Sequence, residues 1–329
     1  MAHRVTAIIV TYNSAGEIAA ALTALRPAHE AGELDCVVVD NVSRDDTVAI
    51  VRRDHAWATM VESPVNLGYG RGLNAGLARA TTPYVLFMNP DAVIAPPDIA
   101  KLTAFLDEHP RVGVVAPAII EGDGALQTAG VMPTPTRILR HAAGVGRGIA
   151  LQRTIHPGEA PFATNWLCGA LLLARTALIQ ELGGFDPMYF LYFEETDLCR
   201  RVAQKGFELW AVGEAVAHHE GSVSAKQTGQ SFVASCIAEH YFQSRFYYLR
   251  KFHGLAAAVF TEVTEYGLLA VRSVTSRLRG RVDEGFRERR RGPFLSMPKP
   301  VASLPASVLG PTVRVPAPGT TPAAARSEP

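Results

Sequence analysis

The stretch Pro83-Tyr84-Val85-Leu86-Phe87-Met88-Asn89-Pro90-Asp91 constrains the fold of this chain most. Its five consecutive apolar residues, Tyr84 to Met88, leave no polar face, which suits a strand covered on both sides. Pro90 cannot donate to a sheet ladder, so the strand stops at Asn89. Asp91 is then delivered to the carboxyl edge of a buried parallel sheet, where open α/β folds bind ligands. A carboxylate there suits a divalent metal on a phosphate, although the same residue also makes an ordinary turn after a core strand.

The flanking sequence alternates strand and helix patterns. Val5–Thr11, Cys36–Asp40, Met60–Glu62 and Val112–Ile119 read as strands. Glu17–Leu25, Asp45–Arg53 (with Ser43 as N-cap), Arg71–Ala80 and Pro97–His109 read as helices. This rhythm predicts an α/β fold with a parallel, doubly wound sheet. From Asp123 to Asn165 the periodicity fails, which predicts a long functional or mobile connection. Order returns with a strand over Trp166–Leu173, a helix over Thr176–Leu182 and another from about Glu194 to Lys205-Gly206.

A helix is expected over Phe232–Phe252. Leu255, Val259, Val263, Tyr266, Ala270, Val274 and Leu278 then continue at helical spacing. The predicted organisation is an α/β domain over 1–253, a basic amphipathic helical extension over 254–291 and a tail over 292–329. The tail carries nine prolines in 38 residues and is expected to be disordered.

Composition narrows the function. With 329 residues, 48% of them hydrophobic, and a net charge of +1, the chain can bury a full core and lacks the basic excess of a nucleic-acid binder. Cys36, Cys168, Cys199 and Cys236 form no Cys-x-x-Cys pair, so reduced thiols are expected. The N-terminus enters a strand without a signal-peptide pattern, and no apolar run reaches the length of a membrane span; a cytoplasmic location is expected. Between Arg272 and Arg291, eight arginines face three acids, 8 − 3 = +5. Two readings stay open: a helix lying on an anionic membrane, and a helix packed on the α/β domain with a solvated basic end.

The remaining signals cluster at strand ends. Thr11-Tyr12-Asn13 and Asp40-Asn41 end two strands at the same edge as Asp91. Asp40 either accepts from the N3–H of uracil or thymine or caps the turn before Ser43. The turn Asn66-Leu67-Gly68-Tyr69-Gly70-Arg71-Gly72 opens a helix and offers backbone N–H groups to a diphosphate. It lacks the position and third glycine of a dinucleotide fingerprint. Glu194-Glu195-Thr196-Asp197 opens a helix after an aromatic segment; its acids serve either the helix dipole or proton abstraction. His218-His219 is either structural or a metal ligand.

In this order, Thr11-Tyr12-Asn13, Asp40-Asn41-x-Ser43-x-Asp45, Asn66-x-Gly68 with Asn74, Asn89-Pro90-Asp91, Gly184-Phe185-Asp186, Tyr189-Phe190-x-Tyr192-x-Glu194-Glu195-x-Asp197 and His218 resemble the family 2 glycosyltransferases of GT-A fold. The likeness is to the bacterial rhamnosyltransferase-like branch and covers roughly residues 4–253. It implies a nucleotide-diphosphate-sugar donor, with dTDP-L-rhamnose foremost and UDP-galactofuranose or UDP-N-acetylglucosamine as alternatives. The implied acceptor is a cell-surface glycan or lipid-linked glycan.

Thr11, Tyr12, Asn13 and Asp40 would hold base and ribose, with Asn41, Asn66, Gly68, Asn74 and Asn89 completing the donor site. Asp91 and His218 would hold Mn²⁺ or Mg²⁺, with His219 as the neighbouring candidate. Glu195, with Glu194 and Asp197, would supply the base of an inverting displacement. Asn89 replaces the family's first metal-site aspartate, and Val42 replaces its usual glycine. A non-catalytic nucleotide-sugar-binding scaffold is the reading from another class. The resemblance leaves the oligomeric state open.

Overall fold

The computed structural model describes residues 3–145, 152–220 and 236–299. The five apolar residues of Tyr84–Met88 form β4, buried throughout, at the middle of the main sheet. Beside it lie β1 (Val5–Thr11), β2 (Leu34–Asp40) and β3 (Thr59–Glu62), all parallel, in the order β3-β2-β1-β4. The order continues through β10 (Leu171–Arg175), β6 (Val112–Glu121) and β11 (Glu208–His219). β10 runs antiparallel to both β4 and β6, whereas β11 is parallel to β6. The far side of β11 pairs antiparallel with β9 (Phe162–Thr164) at its start and β5 (Ala92–Ile94) at its end. Six of the nine strands therefore share one direction, and the sheet is mixed but mostly parallel.

Helices cover both faces, as the apolar run of β4 requires. One core joins α1 (Ile18–Glu30), α2 (Thr47–Asp54) and α4 (Pro96–Glu108) through Leu22, Leu25, Val51, Leu102 and Leu106. The other joins α3 (Tyr69–Leu77), α6 (Thr176–Glu181) and α7 (Glu194–Gln204) through Leu73, Leu77, Ile179, Leu198 and Val202.

Several expectations change. The strand expected from Trp166 begins only at Leu171, where pairing with Met88 starts; Trp166 instead bridges to Gly130. β11 escaped the sequence reading because Gly213 interrupts it, and its register with β6 shifts between Val212 and Val216. Ser43 does not cap α2, which starts at Thr47; its hydroxyl is bound to Asp40. The irregular stretch after Asp123 carries β7 (Thr128–Ala129), α5 (Pro135–Ala142), β8 (Arg153–Thr154) and β9. Thr134 caps α5 and Pro135 opens it, a start signal that was legible.

The C-terminal part consists of α8 (Cys236–His253), α9 (Leu255–Leu278) and α10 (Glu284–Arg291). Its core with the α/β domain contains Tyr189, Phe193, Phe246, Tyr248, Leu249 and Ala258, with Ile138 of α5 against it. Phe232–Ser235 of the expected helix and residues 300–329 of the expected tail lie outside the described residues. Among the described residues no helix is long and apolar enough to cross a membrane. Cys36 and Cys199 are buried free thiols and Cys168 is a half-buried one; burial pushes Cys168 and Cys199 up to about 12.

Candidate active site

Strand direction assembles the site. β1, β2, β4, β6 and β11 end at one edge and deliver Thr11, Asp40, Asn89-Pro90-Asp91, Glu121 and His219 to it. His219 lies between two carboxylates. Its Nε2 is 3.2 Å from Asp91 Oδ1, and its Nδ1 is 3.0 Å from Glu121 Oε2. The Asn89 amide nitrogen is 3.1 Å from the same Nε2. Burial opposes the charged imidazole, but hydrogen bonds and attraction to Asp91 and Glu121 outweigh it and raise the pKa.

The histidine beside Asp91 is thus His219, and His218 points outward. Strand alternation separates the two: His219 is buried and His218 is exposed. Glu121 had no signature in the sequence beyond its place at a strand end. Glu17, at the start of α1, lies within electrostatic reach of Asp91. Burial and the charge of Asp91 both raise its pKa. Among the described residues no group of three or more His, Cys, Asp or Glu is arranged around a common metal position. Asp91 and His219 nevertheless form a carboxylate–imidazole pair that fits a divalent cation whose other ligands come from a diphosphate. Glu121 on Nδ1 is the partner such a ligand histidine ordinarily has.

The second carboxylate group comes from the start of α7. Tyr192 and Phe193 both adopt left-handed backbone, at φ 67° and 68°. Two successive aromatic residues in that conformation store strain, which is characteristic of functional turns. The turn aims Glu194 and Glu195 differently. Glu194 is buried, with Oε2 lacking any hydrogen bond, and burial together with the Glu195 charge pushes its pKa well up. Glu195 is half-buried; its Oε1 accepts from the Thr196 hydroxyl at 2.9 Å, and that hydroxyl accepts from the Trp166 indole at 3.0 Å. Burial raises the Glu195 pKa, and these bonds oppose the rise.

Asp197 belongs elsewhere. It is 0% exposed and ion-paired with Arg201 and Lys251. Lys251 also binds Asp186 at 2.6 Å, so Asp197 and Asp186 anchor α8 to the α/β domain. The Asp197 oxygens are taken up by Arg201 and Lys251, so its place is in the packing of α7 against α8.

Residues 169–170 link the two carboxylate groups. The Asn89 N–H donates to the Ala170 carbonyl at 2.9 Å, and the Glu195 side chain lies against Gly169. Tyr69, which the sequence reading passed over, completes the link. Its hydroxyl donates to the Gly169 carbonyl at 3.4 Å. Burial pushes its pKa up, and the charges of Glu194, Asp91 and Glu195 add to the rise.

The expected donor residues divide into two groups. Tyr12 is half exposed at the edge, and Asn13 holds a left-handed φ of 52° with its Oδ1 accepting from the Arg44 N–H. Thr11 is buried and donates to Asp40 Oδ1 at 3.0 Å; Ser43 donates to both Asp40 oxygens, from its hydroxyl at 2.5 Å and its N–H at 2.9 Å. Asp40 therefore serves the turn, as one reading held, and any ligand contact would use its remaining acceptor capacity.

Asn41, Asn66 and Asn74 shape the backbone. Asn41 bonds the Leu67 N–H and the Gly68 carbonyl, Asn66 Oδ1 accepts from the Gly68 N–H, and Asn74 clamps both backbone groups of Phe185. Gly68 has φ +77°, and a Cβ there would stand 2.2 Å from the Phe190 carbonyl oxygen. Val42 holds φ +68°, which explains why glycine is at ease there.

A sheet with a polar carboxyl edge and a nearby acid pair suits group transfer from a phosphate-linked donor. Residues 6–153 match the Glycosyl transferase family 2 profile. Over those residues the chain is similar to the family 2 glycosyltransferases, and the relatives it resembles include rhamnosyltransferases.

It is 29% identical over 253 residues to the N-acetylglucosaminyl-diphospho-decaprenol L-rhamnosyltransferase of Mycobacterium tuberculosis, covering 71% of this chain and 80% of the relative. It is 25% identical over 195 residues to the rhamnosyltransferase WbbL of Escherichia coli, covering 56% and 70%. The fold is shared with the mannosyltransferase PcManGT from Pyrobaculum calidifontis, solved with GDP-Man and Mn²⁺. That likeness has a TM-score of 0.55 at 21% identity and covers 85% of this chain and 76% of the other.

Proposed function

We propose that this enzyme transfers L-rhamnose, with inversion, from dTDP-L-rhamnose to a hydroxyl of a lipid-linked glycan. The observation that carries the chemistry is the pairing of Asp91 with His219, together with a second carboxylate pair, Glu194 and Glu195, that shares Tyr69 as an electrostatic neighbour with Asp91. The sugar follows the two rhamnosyltransferase relatives. The acceptor class follows the diphospho-decaprenol named for one of them.

In this reading Asp91 and His219 would hold Mn²⁺ or Mg²⁺, which would supply positive charge for the departing diphosphate. His219 takes the role expected of His218. Glu195 accepts the acceptor's proton: it is the more accessible of the pair, and Thr196 and Trp166 fix its orientation. One base and one displacement on the anomeric carbon invert its configuration without a covalent sugar–enzyme intermediate. Asp40, aligned by Thr11 and Ser43, would accept from the N3–H of the thymine base.

The test is thermal stabilisation of the full chain by a panel of nucleotide sugars with Mn²⁺, followed by product analysis. dTDP-L-rhamnose at a hundred times its Kd should add about 2.7 kcal/mol. Asp91→Asn should lose the Mn²⁺-dependent part of this stabilisation and most of the turnover while melting normally without ligand. Stabilisation by a UDP-sugar instead would change the donor. Unaltered metal dependence in Asp91→Asn would reject the metal assignment.

A further inference from the structure

We propose that the outward face of α9, with the arginines at its C-terminal end, is a docking surface for an anionic lipid membrane. The buried face of this helix mixes Thr261, Glu262, Glu265 and Ser273 with Ala258 and Leu269. The opposite face carries Ala256, Phe260, Val263, Gly267, Val271, Val274 and Leu278, three or four residues apart and all exposed. Phe260, Val271 and Leu278 are 62%, 67% and 84% exposed. At 1.5 Å per residue the stripe runs about 33 Å. An exposed apolar strip of this extent, flanked by Thr264 and Thr275, marks an interaction surface.

The charges choose the occupant. Arg277, Arg279, Arg281, Arg290 and Arg291 are exposed and in no ion pair among the described residues. Arg277, Arg287, Arg290 and Arg291 converge on a cavity of about 240 Å³ around Val282 and Phe286. Asp283, also in its wall, is already bound by Arg272. A second copy docked in parallel would bring two arginine clusters together. Docked antiparallel, it would set them against Leu255 and Ala256, which carry no counter-charge. A layer of lipid phosphates over hydrocarbon complements both the arginines and the apolar strip.

The inference rests on the proposed lipid-linked acceptor for its purpose. α5 packs beside α9, where the Arg272 guanidinium reaches the Ala142 carbonyl, and Ile138 of α5 touches the cluster containing Tyr192 and Phe193. α9 is thus tied through α5 to the aromatic cluster of the turn that precedes Glu194 and Glu195.

The experiment is co-sedimentation of the full chain with vesicles of phosphatidylglycerol and phosphatidylcholine, or of phosphatidylcholine alone, at low and high salt. Binding to the anionic vesicles at low salt is expected. Val271→Asp should abolish it, and Arg277→Gln with Arg281→Gln should weaken it roughly thirtyfold. These side chains are exposed, so melting temperature and donor-induced stabilisation should not change, which keeps this result separate from the test of donor chemistry. Equal sedimentation of wild type and Val271→Asp, or no binding by wild type, would overturn the proposal. So would light scattering that shows a dimer dispersed by Val271→Asp, because the face would then belong to a second copy.

Discussion

At the scale of single residues, neighbours in sequence receive opposite environments. Glu194 and Glu195 differ by one position, yet one is sealed with an unbonded oxygen and the other is held by a hydroxyl. The folded-state pKa of Glu194 lies above its ordinary value of 4.5, so the folded chain retains a proton that the unfolded chain releases. Its contribution to stability is complete below that ordinary value and is lost as pH rises through the raised one. Glu194→Gln should therefore raise the melting temperature at neutral pH, with the gain vanishing toward acid pH. Glu195→Gln should instead lower turnover roughly 10²–10⁴-fold with donor affinity retained. Because burial raises its pKa, the acid limb of the wild-type rate profile should lie above the ordinary glutamate value. A loss of turnover confined to Glu194→Gln would exchange the two roles.

At the scale of elements, the left-handed turn before α7 depends on a distant glycine. The Tyr69 N–H donates to the Phe190 carbonyl at 2.9 Å, and Gly68 passes close beneath the same carbonyl. Gly68→Ala would place a methyl group into that oxygen from a left-handed backbone. It should destabilise the protein by about 1–3 kcal/mol and displace the Glu194–Glu195 turn. Urea denaturation and turnover measured on one preparation check both effects. A fully active, equally stable variant would show that the contact does not hold the turn. α9 makes the complementary point. Its apolar spacing was visible, but Val263, Val274 and Leu278 face outward because Glu262 and Glu265 have buried partners.

At the scale of the whole molecule, those partners bind the C-terminal helices into one unit. Arg245 of α8 contacts Glu262 and Glu265 of α9, and Arg289 of α10 contacts the same two acids; all four side chains are buried. Breaking such a network strands an unpaired charge. Glu262→Ala should destabilise by about 3–5 kcal/mol, read by urea denaturation. A change below 1 kcal/mol would mean that water replaces the lost carboxylate. Truncation after Gly254 would strip Arg245 of both acids, so point substitutions on the outer face are the cleaner probe of α9.

Local pattern was enough for what depends on chain direction and period. The apolar run of β4, the proline after Asn89 and the strand–helix alternation were sufficient to place Thr11, Asp40 and Asp91 on one edge, because parallel strands all end on the same side. Tertiary structure decided which polar groups meet. The choice of His219 over His218 follows from the face of β11 that turns toward Asp91 and Glu121. The withdrawal of Asp197 follows from Lys251, which arrives from 54 residues away. The burial of Glu262 and Glu265 on α9, which leaves an apolar stripe outside, follows from arginines on two other helices. Such pairings are set by three-dimensional proximity and charge neutralisation, which a one-dimensional spacing pattern does not carry.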